Sequence, residues 1–293
     1  MVNLKVKNFL EKKIKESCYL EIKAIKPGNV HKYSAGHGMK PSDFYNSAKI
    51  ISKCLTKNGP GFSKKILNCV VETKKKIKQN TNLGIILLLA PITEILLKHG
   101  LLNKKSLENK INNFIKKQGV RESKNFFKAI KVASPGGIGK SNKYDVNLLP
   151  KTTVYKAMSY ASKRDLIAKQ YISSFKDIFK IGIPTFKKFE KKWNNKEWSL
   201  TAVYLNFLNK IIDTHIQRKK GDKLAKKVKK DAKKYFKLVK KKKQCKNMDK
   251  IARKLLFFDK KLKVRGINPG TSADLTVASY FILQVTKKQQ KKI

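Results

Sequence analysis

The run TNLGIILLLAPITEILL, residues 81–97, decides the fold. Thr81 and Asn82 suit a helix start, and the residues after them are apolar on every side. Such a helix is too apolar for a surface position and belongs in the middle of a core. It is not a membrane span, because its apolar part contains Pro91 and ends well short of the roughly 18 residues required.

The segments on either side also read as helix. Leu10–Ala24 carries Ile14, Cys18, Leu20 and Ile22 and stops at Pro27-Gly28. The next begins at Pro41-Ser42, with Ser42 as cap and Phe44, Ala48 and Ile51 as an apolar stripe. Phe62–Lys78 follows the break Asn58-Gly59-Pro60-Gly61, and Ser106–Gln118 is short and amphipathic. Ser134–Asn147 is a loop, rich in glycine after Pro135. Helix returns over Thr152–Tyr171 and continues past a bend over Ser173–Lys180. Ser199–Arg218 reads as one long apolar helix, Gly221–Lys243 as a lysine-rich amphipathic one and Met248–Phe258 as another. Ser272–Val285 closes the chain as a buried helix. Strand patterns are nearly absent. The expectation is a single all-α domain over residues 1–293, with about ten helices around a buried central one and a lysine-rich helical segment at 218–243. A split near Phe186–Glu197, or a mobile hairpin near Gly221, is the alternative.

The 293 residues are 41% apolar, enough for one large core or two small ones. Leu4–Leu10 is broken by Lys5 and Lys7, so the N-terminus does not read as a signal peptide, and a soluble cytoplasmic protein is expected. Cys18, Cys54, Cys69 and Cys245 lack metal-type spacing and read as buried free thiols. The formal charge of +51 is mostly lysine and peaks between Arg218 and Lys243. Arginine is scarce, and aromatic residues do not interleave with the lysines as a base-stacking surface needs. The charge therefore predicts weak, salt-dependent contact with polyanions and no specific nucleic-acid site.

Polar islands between the helices are richer than caps and turns require. Lys26-Pro27-Gly28-Asn29-Val30-His31 links two helices, and Lys26 suits a phosphate. Asn80 and Asn82 stand at the mouth of the apolar helix and either cap it or orient a base or ribose. Gly136 and Gly137 let backbone approach a ligand, with Asp145 just beyond as metal ligand or plain loop acid; the spacing is not that of a nucleotide-triphosphatase loop. Asp213 and His215 interrupt an apolar run, with Lys219 one turn past His215 on the same face. They read either as acid–base or metal chemistry beside a phosphate anchor, or as a helix end turning polar. Asn268-Pro269-Gly270-Thr271-Ser272-Ala273-Asp274 opens the last helix, whose first amides suit a phosphate or simply a cap. Arg164-Asp165 reads as an ion pair fixing two helices. Glu21 reads as a ligand or a basic side chain's partner, and His37 and His99 as loop or surface residues.

Taken in order, these islands resemble the triphosphoribosyl-dephospho-CoA synthase family, especially its archaeal-type members. The resemblance covers about residues 10–285. It is carried by Glu21 with Lys26–His31, Asn80–Ile85, Gly136-Gly137 with Asp145-Val146, Arg164–Ala168, Asp213–Ile216 with Arg218-Lys219, and Pro269–Leu275. It implies an all-α enzyme that joins the ribose C1 of ATP to the 2′-hydroxyl of 3′-dephospho-CoA and expels adenine. The product is the precursor of the prosthetic group of citrate or malonate lyase carrier proteins. On this reading Asp145, Asp213 and Asp274 surround Mg²⁺. Lys26, Lys219 and Ser272 face phosphate oxygens, and Asn29, Asn80, Asn82, Gly136 and Gly137 complete the substrate site. His215 or His31 transfers the proton, with Asp213 beside it. The implied partners are ATP and a phosphorylated acceptor, without a specific nucleic acid or a membrane; homodimerisation is left open. Members serving citrate lyase tend to have Asp in place of His31 and His-Pro-Gly-Gly in place of Asn268-Pro269-Gly270-Thr271, which leaves the acceptor open. A related phosphotransferase or hydrolase is the alternative enzyme, and a basic nucleic-acid-binding protein the alternative class.

Overall fold

Helices supply the regular elements of the computed structural model, which describes residues 3–79 and 81–286. Among these residues there is no strand, only two isolated bridges inside the turn after the first helix. The helices are α1 (Leu4–Lys23), α2 (Pro41–Thr56), α3 (Phe62–Ile77), α4 (Leu83–His99), α5 (Lys104–Lys116), α6 (Val120–Ala133) and α7 (Val154–Ala161). They continue as α8 (Leu166–Ile172), α9 (Ile183–Trp193), α10 (Lys196–Lys210), α11 (Thr214–Lys220), α12 (Asp222–Lys241), α13 (Asp249–Val264) and α14 (Gly270–Val285). A π-helical turn, Ile178–Gly182, precedes α9. No single helix among the described residues is long and apolar enough to cross a membrane.

The all-α reading holds, but fourteen helices replace the ten or so expected. The difference lies in short breaks that apolar periodicity does not register. The stretch 152–171 is cut at residues 162–165, where Asp165 caps α8 by accepting the Ala168 amide at 3.0 Å. Arg164 donates to the Ser141 hydroxyl at 2.8 Å. The stretch 199–218 is cut at Ile211, whose backbone is extended, and restarts behind Asp213. The lysine-rich segment is cut at Gly221, in the left-handed region at φ 85°, between α11 and α12.

The chain divides into two compact units. The first takes the residues through Glu16, Asn46–Lys176 and those from Phe281 onward; the second takes Ser17–Tyr45 and Asp177–Tyr280. In the first, α4 is buried from Leu83 to Leu97 except at Gly84 and Glu94, and it packs on α3, α5 and α8. Pro91 lacks an amide hydrogen, so the Leu87 carbonyl loses its helical donor. The buried Tyr171 hydroxyl replaces it at 2.6 Å. In the second, α10 is buried from Ser199 to Leu208 and lies against α9, the π-turn and α12. Helix α12 turns Ala225, Val228, Ala232 and Val239 inward and its lysines outward. Helices α10 and α14 are buried as thoroughly as α4, so the expected single central helix is not what the fold provides.

Candidate active site

The densest polar cluster lies in the second unit, where the turn after α1 meets α11, α13 and the start of α14. Glu21 and Lys26 are buried and form an ion pair. Lys26 also donates to Asn29 Oδ1 at 2.8 Å, and Asn29 Nδ2 donates to Asn268 Oδ1 at 2.8 Å. Burial pushes the Glu21 carboxyl up and the Lys26 ammonium down, and each charge opposes the shift of the other. Asp274 and Asp259 add negative charge near Lys26. The Tyr204 hydroxyl donates to the Pro27 carbonyl at 2.7 Å. Gly28 sits at φ 86°, and a Cβ there would lie 2.8 Å from Pro269 Cδ and 2.9 Å from Leu262 Cδ1. The loop thus needs glycine both for its backbone and for its contacts.

Asp259 of α13 ties this turn down. Its Oδ1 accepts the Gly28 amide at 2.8 Å, and its Oδ2 pairs with Lys263 at 3.0 Å. His31 Nε2 stands 3.5 Å from Asp259 Oδ1, too long for a good hydrogen bond, and His31 Nδ1 is buried without a partner. Burial raises the Asp259 carboxyl, but His31, the Gly28 amide and Lys263 outweigh it and hold it below the usual range. His37 Nε2 donates to the Gly28 carbonyl at 2.8 Å. The sequence did not single out Asp259 or Lys263, and His37, read from it as a loop or surface residue, is half-buried in this cluster. Asp259 carried a signal: it lies between Leu255 and Leu262 on the buried stripe of α13.

Asp213 is the N-cap of α11. Its Oδ1 accepts the amides of His215 and Ile216 at 3.0 and 3.2 Å. Its Oδ2 accepts the Ser272 amide and hydroxyl at 2.7 and 2.8 Å. One buried carboxylate therefore registers α11 against the first turn of α14, beside a Thr214–Thr271 hydroxyl contact of 3.3 Å. Burial raises this carboxyl, against the pull of its donors. His215, half-buried, donates to the Asn268 carbonyl, and its Nδ1 is 2.7 Å from where a Cβ on Gly270 would stand. Asp274 lies in the second turn of α14 rather than at its start.

Exposure separates two layers. Lys26 and His31 are 0% exposed, and Asp213 and Ser272 1% exposed, so none of them meets solvent here. His37, His215, Arg218, Lys263, Asn268 and Asp274 are half-buried, and Lys219 is exposed. Lys219 and Lys263 act on His37, and Arg218 and Lys219 act on His215. The accessible layer is thus cationic around two histidines. Burial lowers His31 and His37, and burial with Arg218 and Lys219 lowers His215 to about 4, all from 6.5. As pH falls the unfolded chain protonates first, so the stability tied to neutral histidine is full above 6.5 and is lost from there down towards 4. Urea titrations at pH 7.5 and 5 should therefore give a lower unfolding free energy at pH 5 by about 1–3 kcal/mol.

The remaining sequence candidates lie in the first unit. Asp145 accepts the Ser141 and Asn147 amides at 2.7 and 2.8 Å and the Asn147 side chain at 2.9 Å. The Asn147 and Ser141 amides hold its carboxyl below the usual range. Gly136 and Gly137 are exposed in the same loop. Asn82 is buried before α4; it donates to Ser47 instead of capping the helix, and its Oδ1 has no partner. Asn80 lies outside the described residues. Among the described residues no group of three or more His, Cys, Asp or Glu could hold a metal. Backbone donors already occupy the oxygens of Asp145 and Asp213, so these residues do not fit a preformed magnesium cage.

The family described as CitG: ATP:dephospho-CoA triphosphoribosyl transferase matches residues 7–293. The chain belongs to that family, and ATP-dependent triphosphoribosyl transfer to a dephospho-CoA-type acceptor is its activity at the family level. Among solved structures it is similar to a protein from Archaeoglobus fulgidus provisionally named triphosphoribosyl-dephospho-CoA synthase. The TM-score is 0.65 and the identity 22%, over 84% of this chain and 99% of that one, a likeness of fold. No curated protein matches.

Proposed function

We propose that this CitG-family chain uses the cluster around His37 and His215 to move the 5-triphosphoribosyl group of ATP to the 2′-hydroxyl of 3′-dephospho-CoA or a similar phosphorylated acceptor. The observation that carries the reading is the cationic layer of Arg218, Lys219 and Lys263 around two half-buried histidines, set on a buried acidic frame. Arg218 and Lys219 take the triphosphate, and Lys263, whose donors are held by Asp259 and Ser34, adds positive charge beside them. Breaking the ribose C1–adenine bond builds positive charge on the sugar, and Asp274 is the half-buried carboxylate at hand to face it. His215 is neutral at pH 7, with one ring nitrogen held by the Asn268 carbonyl. Its other nitrogen accepts the proton of the attacking hydroxyl, and the adenine that leaves with the bonding electrons of ribose C1 takes up a proton in exchange. Lys26, His31, Asp213 and Ser272, buried in this structure, position these groups rather than touch substrate. Magnesium is proposed only as the counter-ion that accompanies ATP.

The test is incubation with ATP, Mg²⁺ and a panel of acceptors, with mass analysis of products. Free adenine and a triphosphoribosyl adduct support the reading; ADP or AMP without adenine would move the chain to the phosphotransferase or hydrolase alternative. His215→Gln should lower kcat by about 10²–10⁴-fold with little change in the KM for ATP, whereas Lys219→Met should raise that KM.

A further inference from the structure

We propose that Cys54 and Cys69, in the first unit, form a reversible intramolecular disulfide and constitute a thiol-oxidation site on the α2–α3 hairpin. The helices are joined by the short Asn58-Gly59-Pro60-Gly61 connection. Cys69 is buried at 0% exposure on the inward face of α3, with Ile66, Val70 and Thr73. Its sulfur reaches across to the Ile51 carbonyl of α2 at 4.0 Å. Ile51 precedes Cys54 by one helical turn, so the two side chains lie on neighbouring parts of one face. Each thiol acts on the other, so the two sulfurs face one another beside the Ile51 carbonyl. Both sulfurs are free, and Cys54 is only half-buried, so one member of the pair is open to an external reagent.

The asymmetry gives the pair an order of reaction. The neighbouring Cys69 thiol holds the Cys54 thiol below its usual range, while burial pushes Cys69 well above it. Cys54 is therefore the attacking thiolate and Cys69 the resolving thiol. With glutathione disulfide as oxidant, Cys54 Sγ attacks one sulfur, the glutathione S–S bond breaks and one glutathione thiolate leaves. Cys69 then loses its proton, attacks Cys54 Sγ and expels the second glutathione thiolate. Two protein thiols are oxidised, one disulfide is reduced, and the two protons pass to the departing thiolates. Cys245 serves as an internal reference: it is half-buried, and burial alone acts on its thiol. It can form the mixed disulfide but has no resolving partner.

The experiment oxidises the folded full-length chain with glutathione disulfide, alkylates remaining thiols and maps tryptic peptides without reduction. Near-ultraviolet circular dichroism before and after oxidation establishes that the fold is retained. The expected product joins CLTK (residues 54–57) to ILNCVVETK (residues 66–74), while Cys245 carries glutathione. The oxidised chain should melt several degrees higher, and dithiothreitol should reverse both changes. Cys69→Ser should leave glutathione on Cys54, and Cys54→Ser should leave Cys69 unmodified. Persistent glutathione on wild-type Cys54, two alkylated thiols, or a cross-link found only after loss of the native spectrum would overturn the proposal. The wild-type map decides the matter even where a serine variant does not fold.

Discussion

Lys26→Met is expected to lower the unfolding free energy by about 3–5 kcal/mol, among the largest losses a single substitution in this chain can cause. The reason is what remains. Glu21 is 3% exposed, and its charge is partnered by Lys26; without the ammonium it must be buried uncompensated or take up a proton. Asn29 Oδ1 loses its donor as well, and with it one link of the chain from Lys26 through Asn29 to Asn268. The pair as a whole contributes far less than its rupture costs, since two desolvated charges nearly cancel their own attraction. Joining Glu21→Gln to Lys26→Met should therefore recover most of the loss. Urea denaturation of the three variants and the wild type forms a double-mutant cycle that reads the coupling directly. A phosphate-anchoring lysine behaves differently: its removal leaves stability almost unchanged, raises the KM for ATP, and is not rescued by Glu21→Gln. That second pattern would restore Lys26 to the substrate-binding role that its place in a polar loop suggests.

The sequence made the helical class readable because α4, α10 and α14 are apolar beyond what any surface tolerates. The same excess hid their boundaries. Apolar residues recur from Tyr204 to Ile216 with no glycine or proline between them, so Asp213 resembles a polar residue in mid-helix, although Asp before Thr is also how a new helix starts. Asp259 was lost because the lysines after Phe258 look like a helix end, whereas Leu262 continues the buried stripe and α13 reaches Val264. Local pattern carried no sign that the Lys26–His31 turn would be buried. Its burial depends on Asp259, Tyr204 and Pro269, which lie far along the chain, and only tertiary packing brings them together. Glu21 was readable as a basic residue's partner, because a lone acid in an apolar helix needs one.

Asp213→Ala is expected to reduce kcat/KM by at least about 10²-fold and to cost about 2–4 kcal/mol of stability, with the apparent affinity for Mg²⁺ unchanged. Its carboxylate receives four donors, two from α11 and two from Ser272, so truncation leaves buried amides at two helix starts without acceptors. His215 rides on the first turn of α11, and Gly270, against which it rests, lies on the first turn of α14. Loss of the shared carboxylate frees these turns to shift relative to each other, and displacements of that kind are costly in a transfer reaction that depends on alignment. Asp213→Ser separates the two functions of the side chain. A serine hydroxyl can still cap α11, so much of the stability should return. It is too short to hold Ser272 as well, so activity should stay low. A metal ligand predicts another result: both variants would keep near-normal stability, and activity would recover at high Mg²⁺. Stability curves together with a Mg²⁺ titration of adenine release distinguish the two, and recovery of turnover by added metal would remove Asp213 from the frame and return it to the phosphate site.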